Sequence, residues 1–219
     1  MTADGVARRF GPRDAPIEAL RPACFEVRAG ERIAVVGPSG SGKSTLLQLI
    51  AGLDMPSSGR LDWPGLAPRE QLRPRHVGVV FQSPNLLPSL SAAENVEVPL
   101  RLLGEHPRPR EAALAALDRV GLADLADKLP DELSGGQAQR VGVARAIVLQ
   151  PRLVLADEPT GQLDHVTAQS VVDALLAALG DSDAALVLAT HDETVAARMT
   201  TRWRMDHGRL ALPLGEPSR

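Results

Sequence analysis

The segment GPSGSGKST, residues 37–45, constrains the fold of this chain more than any other feature. It follows a short β-branched apolar run at 33–36 and precedes a stretch, 44–51, with apolar residues at helical spacing. Strand, loop and helix are the setting that the pattern GxxxxGK[ST] requires, and a chance match in one chain is on the order of one per cent. Glycines let successive backbone N–H groups point inward, and the following helix adds its positive end. The segment therefore predicts a phosphate-binding loop, in preference to a glycine turn with its lysine in solvent.

Lys43 is one of only two lysines among the 24 basic residues, the other being Lys128. A compact ammonium is favoured where a planar guanidinium does not fit, and in this loop it would reach the β- and γ-phosphates of a nucleotide. The hydroxyl of Ser44 is the candidate ligand of Mg²⁺. The candidate nucleotide-binding residues of the loop are Gly37, Pro38, Ser39, Gly40, Ser41, Gly42, Lys43, Ser44 and Thr45.

Two further strand-and-helix units follow later in the sequence. An apolar strand at 153–156 precedes a helix at about 166–179, and a third strand at 185–189 ends at His191 and precedes a short helix. Continuous apolar strands that alternate with helices predict an α/β fold with a mainly parallel sheet covered on both faces. Ligands of such sheets bind at the carboxyl ends of the strands, and all three ends carry polar side chains here.

The remaining segments complete the predicted P-loop core. Residues 84–135 contain a capping box at Ser91 and Glu94 and helical stretches near 91–103 and 109–120, which predicts an inserted helical subdomain. The segments at about 4–30 and 60–81 resemble short strands with turns, and we expect them to form a small antiparallel layer. The chain is thus interpreted as a single domain, 1–219.

Composition limits the classes of partner. A net charge of −3 and a pI near 6.0 give no broad basic surface, which argues against a nucleic-acid partner. The N-terminus lacks a signal peptide and no apolar run is long enough to cross a bilayer, so we expect a cytosolic chain that reaches a membrane only through a partner. The single cysteine, Cys24, lies in a predicted strand and is expected to be a small buried hydrophobe.

Asp157 and Glu158 follow the apolar strand at 153–156. An acidic pair at a strand end is more often a solvated turn, but a phosphate-binding loop upstream favours a phosphoryl-transfer site. Asp157 would position Mg²⁺, and Glu158 would accept a proton from the attacking water or orient it. The pair is therefore the candidate catalytic centre.

A second candidate anion site begins at LSGGQ, residues 133–137. A predicted helix at 137–149 follows, so Ser134, Gly135 and Gly136 would present free N–H groups at its positive end. Taken alone, the segment also fits an ordinary serine cap followed by a glycine turn. The chain would then contain two phosphate-binding sites but only one carboxylate pair. This combination favours a functional role for the second site over a simple helix cap.

With these motifs, the chain resembles the ATP-binding subunit of an ABC transporter over essentially its whole length. Residues 37–45 resemble the Walker A loop, 133–137 the signature and 153–158 the Walker B strand. The resemblance implies ATP and Mg²⁺ as cofactors. It also implies a dimer, expected to be a homodimer, in which each Walker A loop faces the partner subunit's signature residues. Those residues are Ser134, Gly135, Gly136 and Gln137.

The resemblance assigns four more positions. Gln82 matches the Q-loop, which would sense Mg²⁺ and the attacking water and couple the site to the helical insertion, and His191 matches the histidine that contacts the γ-phosphate. Asp164 is similar to the D-loop residue at the dimer interface, although Gln162 stands where relatives commonly have asparagine. Phe10 is the best-placed residue to stack on adenine because the chain has no tyrosine, and a core phenylalanine is the alternative.

Residues 81–100, 156–161 and 190–210 resemble the lipoprotein-release and macrolide-export branch, whereas the segment 59–82 is shorter than expected for it. The resemblance implies an ATP hydrolase that drives a separate permease by export or extraction, at the inner face of the cell membrane. The alternative is a regulatory ATPase that relays force through a membrane partner to a cell-wall or division complex without transport. A DNA-repair or chromosome ATPase would need long heptad-bearing insertions, which this sequence does not contain.

Overall fold

A computed structural model describes residues 1–12, 14–104, 106–180 and 182–213 of the chain. Its strands and helices, in chain order, are β1 (Thr2–Phe10), β2 (Ile17–Glu26), β3 (Arg32–Val36), α1 (Lys43–Ile50), β4 (Ser58–Asp62), β5 (Val77–Val80), α2 (Ala92–Leu103), α3 (Pro109–Arg119), α4 (Gly135–Ile147), β6 (Leu153–Asp157), α5 (His165–Leu179), β7 (Ala185–Thr190), α6 (Glu193–Ala196), β8 (Thr201–Asp206) and β9 (Arg209–Ala211).

The main sheet has the strand order β5-β6-β7-β3-β8-β9, and each neighbouring pair is parallel except β8 with β9. Val36 pairs with Thr190, and Asp157 pairs with Ala189. The carboxyl ends of β3, β6 and β7 therefore meet at one edge of the sheet. The predicted fold class, a mainly parallel sheet flanked by helices, is confirmed.

Alternate residues of the central strands feed two apolar clusters on opposite faces of the sheet. Leu186 and Leu188 of β7 pack in the cluster that contains α2, α3, α4 and α5, whereas Val187 packs in the cluster with α1, β1 and β2. All three side chains are fully buried. Burial on both faces explains why these strands are continuously apolar. Within the described ranges, none of the helices combines the length and the apolar character that a membrane-spanning segment requires.

The small antiparallel sheet has the strand order β2-β1-β4, as predicted for the N-terminal segment. The prediction for residues 60–81 was only partly right, because β5 lies in the main sheet, parallel to β6. Gly78 of β5 explains the close packing of α4, since a methyl group there would lie 2.1 Å from the carbonyl oxygen of Ala146. This tertiary contact is what places β5 next to the core helices.

Two helix starts follow from capping. The Ser91 hydroxyl accepts from Glu94 N (3.3 Å) and the Glu94 carboxylate accepts from Ser91 N (2.8 Å), so the predicted capping box of α2 is confirmed. Helix α4 begins at Gly135, two residues earlier than predicted, because Ser134 is its N-cap.

The prediction for Cys24 was wrong. Its side chain lies on the exposed face of β2, where its sulfur accepts from Gly5 N (3.2 Å).

Candidate functional site

The loop between β3 and α1 packs closely against neighbouring backbone, which explains why glycines occur at two of its positions. A methyl group at Gly37 would lie 2.0 Å from the carbonyl oxygen of Met205 in β8. Gly42 has φ of +107°, and a methyl group there would lie 2.1 Å from the carbonyl oxygen of Ala19 in β2. Only glycine fits both positions. The loop is therefore held in one conformation by the two sheets.

Lys43 is the first residue of α1, and its side chain turns back under the loop. Its ammonium lies 2.9 Å from Gly37 O, 3.1 Å from Pro38 O and 3.0 Å from Glu158 Oε1. An ammonium has three donors, and each has an acceptor here. Lys43 is only 4% exposed. The alternative in which this lysine points into solvent is excluded by these contacts.

Ser44 and Asp157 supply the oxygen atoms that fit a magnesium ion. The Ser44 hydroxyl donates to Asp157 Oδ1 (3.0 Å), which brings the start of α1 against the end of β6. Mg²⁺ prefers oxygen donors and is held in nucleotide sites by one or two side chains together with phosphate. Burial raises the pKa of Asp157, and the charge of Glu158 adds to this, against the opposing effects of the Ser44 hydrogen bond and of Lys43. A nearby cation would favour the charged carboxylate and so offset the effect of burial on this pKa.

Glu158 has φ of +43°, an uncommon conformation for a residue with a side chain. Its N–H donates to Ala189 O (3.0 Å), and its Oε2 lies 3.2 Å from His191 Nδ1. Burial acts to raise the pKa of Glu158, but the hydrogen bond and charge of Lys43, together with His191, outweigh it and leave this pKa below its usual value. The carboxylate is therefore ionised at neutral pH.

Gln82 follows β5 and faces the same centre. A methyl group placed on Gly161 would lie 3.2 Å from Gln82 Nε2 and 3.5 Å from Glu158 Oε2. The amide and the carboxylate thus converge on the backbone at Gly161. The structure brings Gln82, Glu158 and His191 together with Lys43 at the carboxyl edge of the sheet.

Ser41 provides a test of whether a phosphate chain fits the loop. Its hydroxyl oxygen is buried and has no hydrogen-bond partner within the part of the chain that the structure describes. Buried polar atoms in folded proteins are nearly always paired, so an orphaned one at a glycine-rich loop suits a polar ligand. The loop residues therefore fit an anion.

The signature residues form a separate cap on α4, in which Ser134 and Gly135 are exposed and Gly136 is buried. The Ser134 hydroxyl accepts from Gln137 N (3.3 Å), and the Gln137 side chain accepts from Ser134 N (2.8 Å). The N–H groups of Gly135 and Gly136, in the first turn, have no acceptor within the helix. A methyl group at Gly136 would lie 2.2 Å from Thr167 Cγ2, so this glycine allows α5 to pack closely. The serine cap is therefore compatible with the alternative interpretation, in which the free N–H groups of the first turn bind an anion.

Asp164 is the N-cap of α5. Its carboxylate accepts from Thr167 N (3.0 Å) and from the Thr167 hydroxyl (2.6 Å). These hydrogen bonds lower the pKa of Asp164, the one from the hydroxyl most. Asp164 therefore has a local structural role that the sequence reasoning did not identify, although an aspartate before a helical stretch is a known capping signal.

Phe10 lies at the exposed end of β1. Its ring is 39% exposed, and the Arg8 guanidinium carbon lies 4.4 Å from the ring centroid. Arg8 is in turn held by Asp54 at 2.7 Å. Phe10 is therefore not a core residue. The contact between Arg8 and Phe10 agrees with residue alternation, because residues two apart on a strand share a face.

The comparison with protein families decides the assignment of these features, because residues 20–161 match the ABC transporter family. The chain belongs to the ABC transporter family. LolD, the lipoprotein-releasing system ATP-binding protein, from Hydrogenovibrio crunogenus is 46% identical over 197 residues, covering 86% of each chain. The protein of the same name from Pseudomonas syringae pv. tomato is 47% identical over 195 residues, 85% of this chain and 86% of its own.

Solved structures of ABC cassettes match the whole fold. The dimeric post-hydrolysis state of the ATP-binding cassette MJ0796, bound to ADP and Pi, has a TM-score of 0.86 at 32% identity and covers 98% of this chain and 99% of its own. CbiO1 from Clostridium perfringens, part of the ABC transporter complex cbiONQ, has a TM-score of 0.83 at 29% identity and covers 96% and 86%. The chain is an ABC-type ATPase that uses ATP with Mg²⁺, as predicted.

Proposed function

We propose that this ATPase drives a separate membrane permease that exports its substrate or extracts it from the membrane. The relatives named for lipoprotein release support this assignment and make lipid-anchored proteins the first substrate class to test. The permease would hold the chain at the inner, cytoplasmic face of the membrane. In this proposal residues 1–219 act as one ATP-binding domain with an inserted helical subdomain at 84–135.

The observation that carries the proposal is an exposed apolar groove between β5 and α2. It has a volume of about 360 Å³, and the cleft lies between the sheet core and the helical subdomain. Leu102 on its rim is 76% exposed. The other exposed apolar residues that line it are Leu53, Phe81 and Leu87. Exposed apolar patches of this kind mark protein interaction sites, and an amphipathic helix of the permease fits such a groove.

The proposed working unit is a dimer of two copies of the chain. One copy contains a phosphate loop with its carboxylates and, separately, the exposed cap at Ser134. In a symmetric pair, the cap of each copy would close over the nucleotide of the other, and Asp164 would lie at the interface beside it. Ser134, Gly135, Gly136 and Gln137 are then the residues that bind nucleotide across the interface.

The mechanism follows from the charges at the edge of the sheet. The ionised Glu158 would accept the proton of the attacking water, and His191 and Gln82 would position the water and the γ-phosphate. Lys43 would exchange its carbonyl partners for phosphate oxygens. Ser44 and Asp157, assisted by Gln82, would hold Mg²⁺, which neutralises charge on the phosphates when bound. Positioning and charge stabilisation supply most of the catalysis in this reaction class.

Coexpression of the chain with the permease of its host tests the groove. Leu102→Glu should abolish both copurification with the permease and permease-stimulated ATP hydrolysis, because a charge is buried in an apolar contact. The matched control is Leu114→Glu, on α3, where the native leucine is 37% exposed and lies outside the groove. Equal binding by both variants would refute groove docking. ATP-dependent release of a lipid-anchored protein from proteoliposomes would separate transport from signalling alone.

A further inference from the structure

The segment that joins β5 to α2, residues 81–91, follows one face of α4. Gln139 Nε2 donates to Phe81 O (2.8 Å), and Arg145 donates to Pro84 O (2.6 Å) and Asn85 O (2.9 Å). Between them, a methyl group at Gly142 would lie 3.6 Å from Pro84 Cβ. Residues 139, 142 and 145 are three apart and share a helix face. The segment is therefore attached to the helix that begins at the signature.

The bond from Gln139 acts at a particular peptide. Phe81 O belongs to the same peptide plane as the N–H of Gln82, so the position of Gln139 sets the direction in which the Gln82 backbone leaves β5. Gln139 is 1% exposed, and its bond to Phe81 O is partly buried. Gln82 Nε2 and Glu158 Oε2 both lie close to Gly161. A shift of Phe81 O would thus be felt beside the catalytic carboxylate.

The N-terminal end of the same helix carries the cap. Gln139 lies five residues after Ser134, or about 7.5 Å along the helix axis. A helix transmits displacement as a rigid element over such a length, and the capping box at Ser134 and Gln137 keeps its first turn formed. Movement of the cap therefore moves Gln139, and with it the peptide between Phe81 and Gln82.

We propose that Gln139 is a positioning residue that makes ATP hydrolysis at Glu158 depend on engagement of the Ser134 cap of the same chain. The inference rests on the proposed function, because it requires that a second copy's nucleotide binds that cap. It adds a link inside each chain: nucleotide held at one site sets the geometry of the other through Gln139 and Phe81 O. Sequence reasoning missed this residue, since nothing in the pattern marks a buried glutamine within a helix.

The test uses Gln139→Met, which keeps the length of the side chain and removes its donor. We expect this variant to bind ATP with the wild-type Kd and, combined with Glu158→Gln, to form the ATP-dependent dimer. Its kcat should nevertheless fall on the order of ten-fold, because the hydrolytic groups are misplaced. The matched control is Arg140→Met. Arg140 is the next residue of α4 and donates to Val120 O (3.2 Å), away from residues 81–91, so its loss should leave kcat unchanged.

Three results would overturn the inference. Wild-type kcat in Gln139→Met would show that the bond does not position Gln82, and an equal fall in Arg140→Met would assign the effect to general loosening of α4. An equal fall in Asn95→Ala would assign it to the order of the segment, since Asn95 donates to Leu87 O (3.1 Å) and Leu90 O (2.8 Å) from α2. Gln139→Leu, which also lacks a donor and gives the same expectation, replaces the methionine variant if thermal unfolding shows that variant to be unfolded.

The outcome for the chain that carries Glu158→Gln alone separates this inference from the proposed function on which it rests. If the chain with Glu158→Gln alone forms no dimer with ATP, the proposed dimer fails and the inference fails with it. If that dimer forms and Gln139→Met still hydrolyses ATP at the wild-type rate, only the inference fails. Size-exclusion chromatography and a steady-state phosphate-release assay give both readings.

Discussion

Replacement of Lys43 by arginine keeps the positive charge and tests whether the compact ammonium is required. Three acceptors, Gly37 O, Pro38 O and Glu158 Oε1, lie within 3.1 Å of one nitrogen atom. The donors of a guanidinium lie in one plane and are spread over three nitrogen atoms, so an arginine cannot reproduce that arrangement. Lys43 is also buried, so a longer and wider side chain would have to fit among the atoms that now surround the ammonium.

The expected effect follows from the loss of one contact. A hydrogen bond to a charged group contributes about 1.5–3 kcal/mol. If the misfit removes one such bond to phosphate, ATP affinity or turnover falls on the order of 10- to 100-fold, at about 1.4 kcal/mol per factor of ten. Fluorescent-nucleotide binding and phosphate release at saturating Mg²⁺ would show whether the loss is in binding or in turnover.

Lys128→Arg is the control, because Lys128 is exposed and its ammonium forms an ion pair with Glu132 (2.8 Å), which arginine can also form. Its activity should match the wild type. Lys43→Arg with kcat and KM within about two-fold of wild type would refute the argument, since less than 0.5 kcal/mol would then separate the two cations. In that case the shape of the Lys43 site would have no part in catalysis.

Three other expectations follow. Glu158→Gln should slow ATP hydrolysis on the order of 10²- to 10⁴-fold and trap an ATP-bound dimer; normal turnover would exclude Glu158 as the base. Phe10→Ala should weaken ATP binding roughly two- to ten-fold without changing the affinity for tripolyphosphate, which has no base to stack. Because the pKa of Glu158 is lowered from 4.5, its stabilising effect should be complete above pH 4.5 and lost as the pH falls through the folded value. Urea melts of wild type and Glu158→Gln should therefore converge in that acid range, and a constant difference would contradict this.

Much of the site could be predicted because its residues lie at strand ends and helix starts. The loop at 37–45, the pair Asp157 and Glu158, and His191 each follow an apolar strand, and parallel strands bring their carboxyl ends together. The contact between Lys43 and Glu158 spans more than a hundred residues, yet it follows from the neighbouring positions of β3, β7 and β6. Local sequence patterns were therefore sufficient to predict the site residues that the strand order places at the same edge of the sheet.

One of the failures has a tertiary cause and two have local causes. The strand at Val77–Val80 was assigned to the wrong sheet because its partner, β6, lies some seventy residues further along the chain, and only the packing of Ala146 on Gly78 shows why a glycine occurs there. Helix α4 starts early because its capping box offsets the low helix propensity of two glycines. Cys24 is exposed because the alternation of β2 places Ala23 and Phe25 on the buried face. Only the partner strand of β5 lies outside the local sequence, whereas the capping box of α4 and the alternation of β2 are local signals that the predictions did not use.

The separation of the cap at Ser134 from the carboxylates has a consequence for how the enzyme is measured. If each reaction needs two chains, activity per mole of protein falls on dilution. The chain is then active only at concentrations near or above the dissociation constant of the dimer. A permease that binds two copies would raise their effective concentration to the millimolar range and remove this dependence. The isolated chain is then nearly idle at low concentration, and ATP is spent only where a membrane partner has gathered two copies.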